Sequence, residues 1–153
     1  MARAELIENL NRALSLELCG VIQNTQHSFL VTGTDRQVFC DFFRDQAKES
    51  QKHVQMLGDK IVALGGIPTV EPAMIRQSTE LIEMLKQTLE LERESMEAYK
   101  AAWASCDEGD LATKFMLEGQ IADEQLHIEE LEKLTSERKA SITSGRIILR
   151  QVS

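Results

Sequence analysis

A bundle of four long helices, an all-α fold, is the architecture this sequence predicts, and three observations predict it. Apolar residues recur at a 3.6-residue period in four long stretches. The helix breakers cluster in the gaps between those stretches, and both prolines, Pro68 and Pro72, fall in a single gap. No stretch reads as alternating strand. With 153 residues, 42% of them hydrophobic, the chain has one domain's worth of material and can bury a sizeable core.

The first helix is placed near 4–32. Its apolar stripe runs Leu6, Leu10, Leu14, then Glu17, then Val21. VTGTD, from Val31 to Asp35, reads as a helix stop followed by an N-cap. The second helix, near 36–64, carries Phe39, Phe43, Ser50, His53, Leu57, Ile61 and Leu64 on one face. GGIPTVEP then makes a connection long enough to cross over along the length of the bundle. The third helix, near 74–106, runs Leu81, Leu85, Leu89, Glu92, Met96, Tyr99 and Trp103. DEGD (Asp107 to Asp110) is a second stop and cap. The fourth helix, near 110–138, runs Leu117, Ile121, Glu124, His127, Leu131 and Leu134. The short first and third connections predict two antiparallel hairpins. The bundle is assigned to 1–140 and a basic tail to 141–153. That terminal region, with Arg138, Lys139, Arg146 and Arg150 around the apolar Ile147 to Leu149, reads as a frayed terminus, a small fifth element or an assembly contact.

The bulk numbers exclude several function classes. A formal charge of −8 repels nucleic acid and attracts cations. No apolar run is long enough for a membrane span. The opening MARAELIENLNRAL is amphipathic and lacks a signal core, so a cytoplasmic protein is expected. Cys19, Cys40 and Cys106 are an odd number without CxxC spacing, which predicts free thiols and no rubredoxin-type site.

The informative residues are polar ones in apolar positions. Glu17, His53 with Ser50, Glu92, and Glu124 with His127 each interrupt a core stripe near the middle of a helix. A buried unpaired carboxylate costs several kcal/mol or takes up a proton, and several converging carboxylates repel one another. A bound cation removes both problems. Glu17 and His53 lie 36 residues apart, and Glu92 and His127 lie 35 apart. The chain therefore reads as two similar hairpins that bring these residues to one level. Glu at i and His at i+3 project from one helix face. Carboxylate with imidazole suits iron, manganese or zinc, and shared carboxylates suit a dinuclear centre.

This arrangement resembles the ferritin-like di-iron family, in which two helices each give one Glu and the other two each give Glu-x-x-His. LSLEL around Glu17, LELERESMEAY around Glu92, DEQLHIEELE around Glu124 and LGGIPTVEP at the crossover are similar to the corresponding segments of the bacterioferritin and Dps-like branch. The resemblance covers roughly residues 4–138. It implies Glu17, His53, Glu92, Glu124 and His127 as ligands of two iron ions per subunit. It also implies Fe(II) oxidation by dioxygen or peroxide in storage or detoxification, and a homo-oligomer, dimer or higher.

The sequence departs from the family pattern on the second helix, KESQKHV. Position 50 has Ser where the pattern has Glu. Either Glu49 swings in from the neighbouring position, or Ser50 or a water fills the gap; the two half-sites are unequal in both cases. Gln51 stands where bacterioferritins carry the haem-ligating Met, so no haem is expected. The opening MARAELIE leads straight into the first helix, so no basic DNA-binding arm is expected. Tyr99 and Asn24, each seven residues past a candidate ligand, could hydrogen-bond a ligand carboxylate. His27, about 80° from the Glu17 face, is placed at the rim, and Trp103, Met96 and Met116 in the core. Two other readings remain: a small-oligomer oxidoreductase of rubrerythrin, catalase or oxidase type without mineral storage, and a helical bundle whose metal site has decayed.

Overall fold

A computed structural model of the chain describes residues 2–136, 138–143 and 146–151. Four helices make the body: α1 (Ala2–Leu30), α2 (Arg36–Ala63), α3 (Leu81–Ala104) and α4 (Leu111–Thr135). Among the described residues no helix is long and apolar enough to cross a membrane. α1 and α2 form one antiparallel hairpin, and α3 and α4 the other. Asn9 donates to Ser105 Oγ near the start of α1, while His27 meets Gln87 near its end, so α3 runs antiparallel to α1.

The helix ends are closed by the residues that the turns supply. The Arg36 guanidinium donates to the carbonyls of Ser28, Phe29 and Val31, satisfying acceptors that α1 leaves open at its C-terminus. Asp110 caps α4 by accepting from the Thr113 amide at 3.2 Å. Asp35 precedes α2 but makes no side-chain cap bond.

The crossover is longer than the periodicity predicts. α3 begins at Leu81 and not near 74, and the segment from 66 to 78 follows α1 without helix or strand structure. A polar row on α1 at four-residue spacing captures its backbone. Asn11 accepts from the Thr69 amide and donates to the Ile67 carbonyl. The Ser15 hydroxyl donates to the Glu71 carbonyl, and the Ser15 carbonyl accepts from the Ala73 amide. Cys19 Sγ donates to the Met74 carbonyl, and Gln23 accepts from the Arg76 amide at 2.9 Å. Backbone groups satisfied in this way have no need of a helix. The segment enters this track at Gly66, where an added Cβ would lie 2.7 Å from Ile7 Cγ2 and 3.0 Å from Ile61 Cγ2. Gln23 is fully buried, so Gln23→Leu is expected to strand the Arg76 amide and lower stability by about 1–3 kcal/mol. A drop in the urea midpoint at unchanged slope would show this; an unchanged midpoint would count against the track.

The core has two apolar layers with a polar one between them. Leu6, Leu10, Leu14, Leu57, Ile61 and Leu117 belong to one cluster. Phe43, Met84, Leu85, Leu89, Ile128 and Leu131 belong to the other. Two placements differ from the sequence reading. His27 is fully buried, with its ring edge-on to Phe43 at 5.0 Å, and is not at the rim. α1 is covered by α2, by α3 and by the crossover, so an angle of 80° from one buried face leads to another. Trp103 is 39% exposed and donates to Glu118, outside the core. Met96 is buried and Met116 partly so.

The terminal region forms an antiparallel hairpin, β1 (Arg138–Thr143) with β2 (Arg146–Gln151), in which Arg138 is the partner of Gln151. This corrects the expectation of no strand and of a fourth helix reaching 138. The sequence signal was β-branched residues on both sides of a Ser-Gly dipeptide.

Candidate metal centre

Glu17, His53, Glu92 and Glu124 all lie in the polar layer, and all are buried. Each is delivered by the middle of a different helix: apolar residues one turn before and after lock the faces of Glu17, Glu92 and Glu124 inward, and Phe43 and Leu57 do so for His53. The Glu17 carboxylate accepts from the Tyr99 hydroxyl at 2.6 Å and lies 3.1 Å from His53 Nδ1. The same ring nitrogen is 3.8 Å from Glu124 Oε1. Carboxylate oxygens of Glu92 and Glu124 come within 4.8 Å of each other. Two buried carboxyl groups this close disfavour being ionised together.

Burial sets the charge state of this layer. It pushes Glu124 up, and the facing Glu92 pushes it further. Glu92 is raised too, by burial first. Burial alone would lower His53, but the hydrogen bond and charge of Glu17 outweigh it, and the net direction is up. Tyr99 is held well above its ordinary value by burial and by Glu17, so it remains a donor.

Two sets of donor atoms converge to within 4.8 Å: Glu17, His53 and Glu124, and Glu92, Glu124 and His127. Glu124 belongs to both. His127 is half-buried, at the open side of the second set. Oε2 of Glu92 and Oε2 of Glu124 are buried without any hydrogen-bond partner. A buried acceptor left bare costs about 1–3 kcal/mol, more when charged. Cations at the two convergence points would satisfy both oxygens and separate the carboxylates, so the donor set fits two metal ions.

The second helix departs from this pattern in the way the Ser50 position suggested. Ser50 is buried against α1 at Gly20, where an added Cβ would fall 2.4 Å from its Oγ. Glu49 does not swing in. Its carboxylate is 42% exposed and pairs with Lys52 at 3.0 Å. Asn24 donates to the Gly20 carbonyl and accepts from Thr88, without touching a ligand carboxylate. Tyr99 does touch one. Gln120 was missed: it is buried one turn before Glu124, with its amide against both His53 and Glu124. A polar residue between Leu117 and Ile121 was the available signal.

Comparison with known proteins agrees with this geometry. A ferritin-like domain model matches residues 7–140. Bacterioferritin of Brucella melitensis is 33% identical over 132 residues, which are 84% of this chain and 81% of that protein. A nutrient stress-induced DNA-binding protein of Synechococcus is 28% identical over 127 residues, 76% of this chain and 72% of that protein. Among solved structures, a ferritin-like diiron-carboxylate protein of Bacillus anthracis superposes with a TM-score of 0.85 at 33% identity, covering 88% of this chain and 98% of that one.

Proposed function

The chain belongs to the ferritin-like family, and on that premise we propose that it binds iron at the buried cluster and oxidises Fe(II), with dioxygen or peroxide as oxidant, in iron storage or detoxification. The observation that carries this reading is Glu124, common to two convergent donor sets and left with a bare buried oxygen. Fe(II) is the substrate: two ions give one electron each, and peroxide takes both electrons and two protons to leave two waters. Manganese and zinc suit the same donors.

The chain's own residues have distinct tasks. Glu17 and His53 hold one ion, Glu92 and His127 hold the other, and Glu124 serves both. The Tyr99 hydroxyl fixes the Glu17 carboxylate by donating to it. Glu92 and Glu124, both raised by burial, release protons when ions enter. The formal charge of −8 draws Fe(II) towards the surface, and for that reason the DNA binding named for the Synechococcus relative is not carried over. Gln51 offers no haem ligand of the bacterioferritin kind. Ile22, Phe29, Val62, Ile67, Val70 and Met74 are exposed apolar residues, which supports a homo-oligomer that covers some of them. A cytoplasmic location is part of the same proposal.

Elemental analysis of protein purified without added metal, followed by aerobic Fe(II) oxidation, tests the reading. About two ions per chain and oxidation well above the buffer rate are expected. Failure to bind Fe(II), Mn(II) or Zn(II) in stoichiometric amounts would overturn it. Light scattering after iron loading separates mineral storage in a large shell from turnover by a small oligomer.

A further inference from the structure

We propose that the terminal hairpin of one copy of this chain packs on the outer face of α4 in a second copy, a head-to-tail contact between subunits. The proposal rests on the homo-oligomer reading above, to which it adds the segment and the face, and it is independent of the metal centre.

The face comes first. Leu111, Phe115 and Leu126 of α4 are each more than half exposed. At about 100° per residue they lie within about 60° of one another around the helix, so they form a stripe pointing away from the core. Gly119 and Ala122, both exposed, lie between them on the same side. Trp103 of α3 borders the stripe: its indole donates to Glu118, and Lys114 Nζ is 5.6 Å from its ring centre. Exposed acids flank the stripe, Glu118 and Glu129 on one side, Asp123 and Glu130 on the other. α4 builds its share of the core from Leu117, Ile128 and Leu131, and the outer stripe adds nothing to that.

The hairpin has the complementary character. Its register sets Ala140 opposite Leu149 and Ile142 opposite Ile147. Opposite residues of an antiparallel ladder share a side, and every second pair returns to it. One face therefore holds Ala140, Ile142, Ile147 and Leu149, and the other holds Lys139, Arg146 and Arg150. None of the 25 acidic residues of the chain lies in the hairpin, which carries four cations. A two-stranded hairpin is marginal in water by itself and gains its stability by packing on another element, commonly a helix.

Length fits as well as charge. Six residues of strand span about 20 Å, and Leu111 to Leu126 spans about 22 Å of helix. The same chain cannot make this contact with itself. The residues from 136 to 143 reach about 27 Å from Thr135 when fully extended, whereas Phe115 and Leu111 lie about 30 and 36 Å back along α4. Among the described residues, no helix Cα of the chain lies within 8 Å of a hairpin Cα. A second copy brings the hairpin to the whole stripe, and a contact of one patch with a different patch repeats around a closed ring or shell.

Sedimentation velocity on two full-length variants tests this. Ile147→Glu puts an acid on the apolar face of the hairpin, towards the acidic rim of α4. Leu126→Lys puts a cation on the α4 stripe, towards the basic hairpin. Each variant alone should sediment as a smaller species than the wild type. An equimolar mixture should regain a larger species, because it holds an intact hairpin on one chain and an intact stripe on the other. Recovery on mixing also excludes variants that merely fail to fold. Wild-type size in either variant, or a mixture that recovers nothing, would overturn the contact while leaving the homo-oligomer reading in place. A wild-type chain that stays monomeric at every concentration would overturn that reading itself.

Discussion

Glu124→Ala is expected to take bound metal from about two ions per chain to none, whereas Glu17→Ala and Glu92→Ala should each cost one. The asymmetry follows from the donor sets. Glu17 appears only with His53, and Glu92 only with His127, but Glu124 completes both groups. Losing it leaves each ion two protein donors, one carboxylate and one imidazole, too few for a closed site in a dry core. The variant should also lose aerobic Fe(II) oxidation. The fold should survive, because the change removes a carboxyl that burial already disfavours and that carries a bare oxygen. Metal counts by elemental analysis, with circular dichroism as a check on folding, decide the matter. A folded Glu124→Ala protein that keeps one ion at wild-type affinity would show that the carboxylate is not shared.

The four buried polar residues of the central layer, Glu17, His53, Glu92 and Glu124, were legible in the sequence because the physics that punishes them is local. An acid inside an apolar stripe conflicts with burial wherever the stripe is buried, and Glu17, Glu92 and Glu124 each stand in such a stripe. Their matching offsets carried the rest, since two equivalent hairpins must bring equivalent residues to one level. What escaped depends on tertiary partners. Residues 74 to 80 have no breaker after Pro72, and they stay out of the helix because Ser15, Cys19 and Gln23 of α1 take up the neighbouring backbone groups. His27 is buried between Phe43 of α2 and Gln87 of α3, which an angle on one helix cannot reveal. Gln120 is ambiguous by nature, since a glutamine on a stripe fits a bundle edge as well as a histidine partner. The terminal hairpin is two six-residue strands, too short for periodicity to outweigh the helix that precedes them.

The metal-free protein is expected to lose stability as pH rises from 5 to 8, and the loaded protein is not. Glutamate in an unfolded chain titrates near pH 4.3. In the folded chain Glu124 and Glu92 are raised, burial being the larger cause for both, so above about pH 4.3 the native state holds protons that the unfolded state has released. Stability then falls with pH, by about 1.4 kcal/mol per pH unit for each extra proton held. The contribution is fully present below the unfolded value and is lost progressively on the way up to the folded one. His53, also raised, acts in the same sense from about pH 6.5 upward. Asp110 and Glu49, which hydrogen bonds hold down, act in the opposite sense below about pH 4 to 4.5; His27, lowered by burial, also opposes the fall, but only below about pH 6.5, so the decline is steepest from there to pH 8. One excess proton across three pH units corresponds to a melting temperature lower by on the order of 10 °C for a chain of this size. Bound cations replace the proton, so the loaded protein should show a flat or rising profile, and loading near pH 7 should release protons. Calorimetry with and without chelator reads the first effect, and titration in buffers of different ionisation enthalpy reads the second. A metal-free melting temperature that climbs from pH 5 to 8 would mean that the carboxyl groups of the polar layer hold no excess proton. The case for ions balancing their charge would then lose its electrostatic ground.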